Sequence, residues 1–539
     1  MFKVAKTQIN SRLFIAINAL IFLVIFNYPF LGASYHAAAQ TENTSILFLL
    51  ALPALLFALL QLFLSLTLWP RTEKWVLTIL YVVSSAVLYA QINYRVVFDY
   101  TMIQNVFETD ASEATSYLST STVVTLGILI ASSVGWLWPV KIEYGSVLKE
   151  LSQRFVASGA TLVVAILLTL SCYAEFAATA RNNPELKRQI IPFEWVDNTY
   201  DYWRDQLITE QQEFVVLDPA PTLDKTDHDK PRLTIMIVGE TARADHFAYN
   251  GYGRDTNRYT APFQPVYFRD VISCGTATAV SVPCMFSDLS RSDFSSNAAK
   301  NRQNLLDIAQ DSGVDVTWID NNSSCKGMCF RQRYERIDTD KSNPLCDGDY
   351  CFDEILVERL TAKLAQLSLQ DSLIVLHQIG SHGPTYYRRY PDAHRLYAPD
   401  CPRSDIQNCS SQELINTYDN TIAYSDYINS KIIELADATH FDATVVYVSD
   451  HGESLGDGGV YLHGLPYRFA PEAQTRVPMW VWTNHHAQGL RNCLAPFTEP
   501  TLASHDNVFH TLLGMMGVSS SAHNPELDLT NNCSNLAAL

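Results

Sequence analysis

The sequence lacks an excess of positive charge. Its 38 lysines and arginines are outnumbered by 56 aspartates and glutamates, which gives a net charge of −18. Because binding to a nucleic-acid backbone needs a basic surface, this balance argues against a nucleic-acid partner. The sequence also has no internal repeat and no low-complexity tract. Its 539 residues exceed one ordinary core, so we expect two or more domains.

Cysteine is missing from the N-terminal part of the chain, where none precedes Cys172. The other ten all fall in the C-terminal part, at positions 274, 284, 325, 329, 346, 351, 401, 409, 493 and 533. An even number confined to one part favours disulfides in an oxidising compartment. Sequential pairing would close five loops, but spacing alone leaves the connectivity open. A metal site at "CKGMC" is the alternative, although its spacing lacks a second half.

Long apolar runs are concentrated in the first 180 residues. Each of five runs has the roughly 20 residues that cross a bilayer core, at about 13–33, 46–69, 75–95, 121–140 and 155–174. No small-residue cleavage site follows the first run, which predicts a retained signal anchor rather than a removed signal peptide. The sequence therefore predicts a five-helix transmembrane bundle over residues 1–175.

Basic residues between the runs predict how this bundle is oriented. Three groups fall on one side if the runs cross alternately: Lys3, Lys6 and Arg12; Arg71 and Lys74; Lys141, Lys149 and Arg154. The positive-inside rule makes that side the cytoplasm. Five crossings then place everything after about residue 175 on the far side, together with the polar loop 96–120.

The C-terminal part has an α/β pattern. Residues 176–230 form a polar connecting segment, which either runs along the membrane surface or is a solvated linker. After it, short β-rich runs appear at 233–239, 314–320, 373–380, 444–450 and 477–482. Helical stretches such as "NLLDIAQDSG" and "EILVERLTAKLAQLSL" lie between them. Strands that alternate with helices predict a mostly parallel sheet covered on both faces, over residues 231–539.

Three of the predicted strands end in groups that can bind a metal. Glu240 follows the first strand, Asp450 and His451 follow the fourth, and His382 follows the third. Ligands bind beyond the carboxyl ends of strands in open α/β sheets, and carboxylate with imidazole suits Zn²⁺. A hydroxyl in the segment "SCGTATAVSVPC" would fill the open position of a catalytic zinc and become a nucleophile there.

Each of these residues also has a purely structural explanation. Glu240 could balance a helix dipole, Asp450 and His451 could cap a loop, and His382 could sit in a turn. A competing motif is "GESLG", which matches the nucleophile elbow of serine hydrolases. An elbow places its serine directly after the strand, whereas Ser454 lies several residues beyond. The joint occurrence at strand ends therefore favours the metal site.

The motifs "VGETARADH", "SCGTATAVSVPCMF", "DNNS", "HQIGSHGP" and "YVSDHGESLG…GVYLHGLP" resemble those of the phosphoethanolamine transferases that modify lipid A, which include the mobile colistin-resistance enzymes. The resemblance extends over the whole chain. It implies an alkaline-phosphatase/sulfatase-like α/β/α domain behind the five-helix transmembrane bundle. It also matches the sequential cysteine pairs, with Cys493 and Cys533 as an addition beyond the common set.

The resemblance also implies functional residues. Thr278 takes the place of the nucleophile, and the zinc ligands are Glu240, Thr278, Asp450 and His451. One Zn²⁺ is expected to bind tightly, with His382 and His463 contacting the transferred group or a second zinc. Lys326 matches a lysine of the phosphoethanolamine pocket. The loop 96–120 supplies the remaining substrate contacts, which are Asn105, Thr109 and Glu113.

The implied reaction has phosphatidylethanolamine as donor and lipid A as acceptor. Thr278 would carry the phosphoethanolamine group between them, and the modified surface would bind cationic peptides such as polymyxins less well. A monomer in the bacterial inner membrane, with its catalytic domain in the periplasm, is expected. Three alternatives remain: another acceptor, such as a core sugar or periplasmic glucan; a phosphatase or sulfatase that releases its product to water; and a receptor with a structural zinc.

Overall fold

The computed structural model describes residues 8–39, 45–209, 213–224, 230–494, 503–531 and 533. It divides into two compact units. The first comprises Met1–Tyr100 and Thr120–Asp201, and the second comprises Thr101–Ser119 and Tyr202–Leu539. The segment Thr101–Ser119 therefore belongs to the second unit, although residues of the first unit precede and follow it in the sequence.

The N-terminal part of the chain is helical. Its helices are α1 (Ser11–Ile21), α2 (Tyr28–Ala39), α3 (Ile46–Thr67), α4 (Glu73–Tyr94), α5 (Tyr100–Glu108), α6 (Ala111–Ser116), α7 (Thr120–Gly135), α8 (Val147–Ser171), α9 (Tyr173–Asn182) and α10 (Phe193–Thr209). Two short parallel strands, β1 (Gln8–Asn10) and β2 (Lys141–Glu143), pair in the first unit. Its core joins aromatic residues of α1 and α4, such as Phe14 and Tyr81.

Among the described residues, α3, α4 and α8 are long and apolar enough to cross a membrane. The first predicted run is broken instead of straight: α1 continues as a π-helical turn over Phe22–Phe26, and α2 then departs at 62°. π-Turns commonly mark such kinks. If this bent pair counts as one span, the described residues contain up to four candidate membrane spans. The helix of the fourth predicted run, α7, is apolar but has only 16 residues. The prediction of five crossings remains a prediction.

The second unit is built on a seven-stranded sheet. Its further strands are β3 (Thr222–Leu223), β4 (Arg232–Gly239), β5 (Val266–Phe268), β6 (Val271–Ile272), β7 (Asp315–Asp320), β8 (Arg333–Arg336), β9 (Ser372–His377), β10 (Asp442–Ser449), β11 (Ser454–Asp457), β12 (Val460–Leu462), β13 (Met479–Thr483), β14 (Ala503–Ser504) and β15 (Val518–Ser519). The large sheet has the order β5-β13-β10-β4-β9-β7-β8. The strands β10, β4, β9, β7 and β8 run parallel to one another. Strand β13 pairs antiparallel with β10. The predicted, mostly parallel sheet is confirmed.

Helices cover both faces of this sheet. They are α11 (Thr278–Met285), α12 (Ser296–Lys300), α13 (Leu305–Ser312), α14 (Glu354–Leu364), α15 (Ser411–Asp437), α16 (Glu472–Thr475), α17 (Gln488–Leu494) and α18 (Asp506–Met516). One face of β4, β7, β9 and β10 packs in a single core with α13 and α18. Strand side chains alternate between faces, and the opposite face is equally buried, with α15 against β10. This arrangement is the expected α/β/α sandwich.

Local sequence signals fix several of these elements. A capping box of Asn304 and Asp307 begins α13, which ends at Gly313 in the left-handed conformation at φ 105°. Another capping box, of Ser410 and Glu413, begins α15. Five disulfides join the ten C-terminal cysteines in sequential pairs: 274–284, 325–329, 346–351, 401–409 and 493–533. The expected disulfides are confirmed, and "CKGMC" is one of them.

Candidate active site

Two neighbouring parallel strands deliver three acidic or imidazole side chains to one point. The last residue of β4, Gly239, lies opposite the last residue of β10, Ser449. Glu240 and the pair Asp450 and His451 come next, so they emerge side by side beyond the carboxyl edge of the sheet. All three side chains are buried. Their ligand atoms lie within 4.8 Å of one another.

Glycine is required where β4 ends. A Cβ atom at Gly239 would lie 2.5 Å from the hydroxyl oxygen of Tyr447. The strand then turns sharply, because Thr241 adopts the left-handed region at φ 57°. This strained conformation lets the backbone N–H of Thr241 donate to Asp450 Oδ1 at 3.0 Å. The turn thereby connects the two strand ends that carry the ligands.

The hydroxyl of Thr278 lies beside these ligands. Its Oγ1 is 3.2 Å from Glu240 Oε2 and 3.4 Å from His451 Nε2. Thr278 is the first residue of α11, and the disulfide Cys274–Cys284 closes the segment around it. The structure thus brings together all four predicted zinc ligands.

The tautomer of His451 is fixed by the backbone. Its Nδ1 lies 2.9 Å from the carbonyl oxygen of Gly452, which can only accept a hydrogen bond. Nδ1 therefore carries a proton, and Nε2 faces Glu240 at 3.5 Å and Asp450 at 3.3 Å. An imidazole oriented in this way is prepared to bind a metal.

Two buried carboxylates share this small space. Asp450 Oδ1 accepts from two backbone N–H groups, whereas Oδ2 has no hydrogen-bond partner among the described residues. Burial, together with the charge of Glu240, raises the pKa of Asp450. Burial opposes ionisation of Glu240 too, but His382 and His451 outweigh it and lower the pKa of Glu240. A divalent cation would stabilise both carboxylates and satisfy Oδ2. Two carboxylates, an imidazole and a hydroxyl fit tetrahedral Zn²⁺.

Two further histidines adjoin this centre. The ring of His463 lies 4.4 Å from that of His451 and 5.6 Å from that of His382, centroid to centroid. His463 Nδ1 is 3.1 Å from Glu453 Oε2. Burial raises the pKa of Glu453 to about 8. His463 thus lies close to both His451 and His382.

His382 forms an ion pair with the inserted segment Thr101–Ser119. Its Nε2 lies 3.2 Å from Glu113 Oε1, and its Nδ1 is buried with no partner among the described residues. Burial opposes protonation of His382, but Glu113 outweighs it and raises the pKa of His382 to about 9. Burial likewise opposes ionisation of Glu113, and His382 outweighs it, so the pKa of Glu113 falls to about 2.

The other predicted substrate residues belong to the same segment or contact it. Lys326 Nζ donates to the carbonyl oxygen of Glu108 at 3.2 Å and contacts Ser323 Oγ at 2.8 Å. Thr109 Oγ1 donates to the carbonyl oxygen of Asn105 at 2.6 Å and lies 3.5 Å from Glu113 Oε1. The structure therefore groups Thr109, Glu113, Lys326 and His382, and Asn105 contributes its backbone to the group.

A cavity of about 420 Å³ opens next to these residues. Glu113, His382 and Asn322 line it, and so do four aspartates, Asp110, Asp320, Asp338 and Asp349, and one arginine, Arg336. This acidic lining suits a small ammonium group beside an anion. The site therefore combines a buried hydroxyl, a cluster of potential metal ligands and an adjacent cavity with acidic residues in its lining.

Sequence reasoning missed two residues of this site. Asn322 donates its Nδ2–H to Glu240 Oε2 at 2.7 Å and to the carbonyl oxygen of Gln378 at 2.9 Å. His505 accepts from the backbone N–H of Cys274 at 3.1 Å through Nδ1, and its Nε2 donates to the carbonyl oxygen of Ser449 at 3.0 Å. Asn322 follows the end of β7, a signal that the search of strand ends could have used. Nothing near His505 in the sequence indicates its contacts.

Two family models match the chain. A sulfatase model matches residues 232–518, and a model described as phosphoethanolamine transferase EptA/EptB matches residues 56–207. The second unit is thus an alkaline-phosphatase/sulfatase-like domain, the class of protein that the sheet and its strand-end ligands define.

Individual relatives resemble the chain over nearly its whole length. Phosphoethanolamine transferase EptA from Escherichia coli K12 is 35% identical, with 98% of each chain covered. Phosphatidylethanolamine transferase Mcr-1 from Escherichia coli is 34% identical over 88% of this chain and 89% of its own. The solved structure of lipooligosaccharide phosphoethanolamine transferase A from Neisseria meningitidis superposes with a TM-score of 0.92 at 33% identity, covering 98% of this chain and 99% of that one. The chain belongs to the phosphoethanolamine transferase EptA family, which confirms the resemblance seen in the sequence.

Proposed function

We propose that the protein transfers phosphoethanolamine from phosphatidylethanolamine to a phosphate of lipid A, with Thr278 as the covalent carrier. The observation that carries this proposal is the position of the Thr278 hydroxyl, 3.2 Å from Glu240 and 3.4 Å from His451 Nε2. That nitrogen lies 3.3 Å from Asp450 Oδ2, which has no hydrogen-bond partner among the described residues. The family membership and the names of the relatives support the donor group.

The metal in this proposal is one Zn²⁺, held by Glu240, Thr278, Asp450 and His451. When bound, it would lower the pKa of the Thr278 hydroxyl and offset negative charge in the transition state. Asn322 and the turn at Thr241 hold the carboxylates in place for it. In this proposal the working enzyme holds one zinc ion. His382 and His463 contact the substrate instead of binding a second zinc.

In the first step, the Thr278 oxygen forms a bond to the phosphorus of phosphatidylethanolamine. The bond from phosphorus to the diacylglycerol oxygen breaks, and that oxygen takes up a proton in exchange for the one lost by the threonine. With its pKa raised to about 9, His382 is protonated, and its buried Nδ1–H has no partner among the described residues, so it would donate to a phosphoryl oxygen. Fixed donors of this kind stabilise the charge on the equatorial oxygens.

In the second step, a phosphate oxygen of lipid A attacks the phosphothreonine and releases the Thr278 oxygen, which recovers a proton. The acidic cavity beside Glu113 would hold the ethanolamine ammonium during both steps. The transferred amine offsets negative charge on the acceptor, so cationic peptides such as polymyxins should bind the cell surface less strongly.

Both substrates are lipids, which is consistent with a membrane unit joined to the catalytic unit. The proposed location is the bacterial inner membrane, with the catalytic unit in the periplasm. The five disulfides support this side, because they need an oxidising compartment. Five crossings would deliver the chain there.

The test is mass analysis of the full-length protein after incubation with phosphatidylethanolamine. We expect a phosphoethanolamine adduct on Thr278 in the wild type, none in Thr278→Ala, and an unchanged adduct in Ser454→Ala, which removes the hydroxyl of the competing elbow motif. An adduct that survives in Thr278→Ala and disappears in Ser454→Ala would refute the proposal.

The acceptor is tested separately. Lipid A from cells that express the protein should gain phosphoethanolamine on a phosphate, as seen by mass spectrometry. Modification of a core sugar or a periplasmic glucan, with lipid A unchanged, would show a different acceptor. Release of free ethanolamine phosphate without a modified acceptor would indicate a phosphatase.

A further inference from the structure

The first unit contains a large groove that the proposed reaction does not use. It lies between the C-terminal end of α3 and the N-terminal half of α8, and its volume is about 720 Å³. Leu62, Leu66, Phe155 and Leu162 form apolar walls. A groove of this size and lining accommodates part of a hydrocarbon chain.

One end of the groove is polar and contains a satisfied ion pair. Arg154 Nε donates to Glu150 Oε1 at 2.9 Å, and Nη1 of the same arginine donates to the carbonyl oxygen of Leu68. Ser11 donates its hydroxyl to Glu150 as well. Because the carboxylate of Glu150 balances the charge of Arg154, this pair adds no net charge to the groove.

A second arginine at this end is not balanced. Arg71 lines the groove, is exposed, and makes no ion pair among the described residues. Its backbone is held in the left-handed region at φ 78°, which is costly for a residue with a side chain. The groove therefore ends at one uncompensated positive charge, presented by a strained turn.

Aromatic residues at this end of the groove are typical of the membrane–water interface. Trp69 and Tyr144 line the groove next to Arg71. Tryptophan and tyrosine favour the membrane–water interface, since each has an apolar body and a polar tip. An acyl chain along the apolar walls would thus bring the head group of its lipid to Arg71.

We propose that this groove is a binding site for an anionic glycerophospholipid with one net negative charge, such as phosphatidylglycerol. The lipid phosphate complements Arg71, and one acyl chain lies between α3 and α8. A zwitterionic lipid brings its own ammonium group and gains less from the arginine. The inference is independent of the proposed transfer reaction, because every residue of the groove belongs to the first unit.

Native mass spectrometry of the full-length protein in detergent tests the charge requirement. With added dioleoylphosphatidylglycerol we expect one tightly retained lipid, and weaker retention of dioleoylphosphatidylcholine. Arg71→Gln should weaken phosphatidylglycerol binding about fivefold. The matched control is Lys149→Gln, which removes the same charge from an exposed residue of α8 that does not line the groove. Equal losses in both variants, or equal retention of both lipids, would overturn the proposal.

A second pair of variants tests the position of the acyl chain. Gly159 lines the groove and Gly127 lies on α7, and neither has an atom within 4 Å of a built Cβ. Both positions therefore accept a leucine without a clash at Cβ. Gly159→Leu should fill the groove and abolish lipid retention, whereas Gly127→Leu should preserve it. Full retention in Gly159→Leu would show that the lipid lies elsewhere.

Discussion

At the scale of single residues, the candidate site depends on hydrogen bonds that leave a defined set of atoms free for a ligand. The carbonyl of Gly452 fixes the proton of His451 on Nδ1, and two backbone N–H groups occupy Oδ1 of Asp450. Of the remaining atoms, His451 Nε2 lies 3.5 Å from Glu240 and 3.4 Å from the Thr278 hydroxyl, and Asp450 Oδ2 lies 3.3 Å from the same nitrogen. Each ligand atom is thus oriented by backbone that the sheet holds rigidly.

Removing one of these ligands should release the metal. We expect Asp450→Asn to lower Zn²⁺ affinity by more than about 10–100-fold, the range seen when only a supporting hydrogen bond is lost. Zinc retained after dialysis against a chelator provides the measurement.

A useful control for this experiment is Asp506→Asn. Asp506 lies in the other cluster of potential ligands among the described residues, with Cys274 and Cys284. Those two sulfurs are joined in a disulfide and offer no thiolate. Zinc loss in Asp506→Asn, with zinc kept in Asp450→Asn, would place the metal elsewhere.

His505 predicts a dependence of stability on pH. Burial lowers the pKa of His505 to about 3, whereas a histidine in the unfolded chain titrates near 6.5. Its contribution is complete above about pH 6.5 and declines as the pH falls toward 3, because only the unfolded state takes up the proton. The expected loss is up to about 1.4 kcal/mol per pH unit.

The measurement is the melting temperature of the full-length protein between pH 7 and pH 5. His505→Gln keeps a donor and an acceptor but does not titrate, so its melting temperature should fall less steeply than that of the wild type. His440→Gln, at an exposed position, should show the wild-type slope. Identical slopes in all three proteins would contradict the explanation.

At the scale of elements, the loop before α11 is fixed at several points. The disulfide Cys274–Cys284 closes it, the hydroxyl of Thr276 donates to the carbonyl oxygen of Leu465 at 2.6 Å, and His505 holds its backbone. Small residues allow this density of contacts. A Cβ at Gly275, for example, would lie 2.8 Å from Val280. The short helix therefore presents Thr278 in one defined position.

Removing the disulfide Cys274–Cys284 with two alanines should slow formation of the Thr278 adduct. It should also reduce the free energy of unfolding by about 2–3 kcal/mol, as expected for a closed loop of this length. Adduct formation is followed by mass spectrometry over time. The matched control removes Cys401–Cys409, whose sequence separation of 8 is close to the 10 of the first pair. Similar adduct rates in both double variants would show that the disulfide Cys274–Cys284 does not position Thr278.

At the scale of the whole molecule, the chain is not divided in sequence order. In the sequence, Thr101–Ser119 falls between helices of the first unit, yet it packs in the second unit. There Glu113 forms an ion pair with His382, and Glu108 forms one with Lys300 at 2.6 Å. A segment of the N-terminal part thereby contributes directly to the candidate active site. The predicted domain boundaries at residues 175 and 230 stay predictions.

The predicted orientation can be tested with single introduced cysteines. In a Cys172→Ala background, Ala114→Cys on α6 should react with a membrane-impermeant thiol reagent added to cells with a permeable outer membrane. Gly145→Cys, in the loop before α8, should react only after the inner membrane is lysed. Both positions are exposed. The opposite pattern would place the catalytic unit in the cytoplasm.

Much of the fold followed from local patterns. Short β-rich runs located β4, β7, β9, β10 and β13 to within a few residues, because a strand buried on both faces needs consecutive apolar side chains. The strand ends also located Glu240, Asp450, His451 and His382, since parallel strands bring their carboxyl ends to one edge. Thr278 and the residues of the inserted segment came from the resemblance to a family.

The sequence by itself determined that the N-terminal part contains stretches apolar enough for a membrane, where five of the seven strands of the large sheet lie, and which residues follow three of those strands. These are local properties, set by side-chain hydrophobicity and backbone preference. Only the tertiary structure decided that Asn322 and His505 support the site, that Glu113 reaches His382, and that α1 and α2 bend at 62°. Each of these depends on contacts between residues far apart in the chain or on helix packing, for which a single sequence carries no periodic signal.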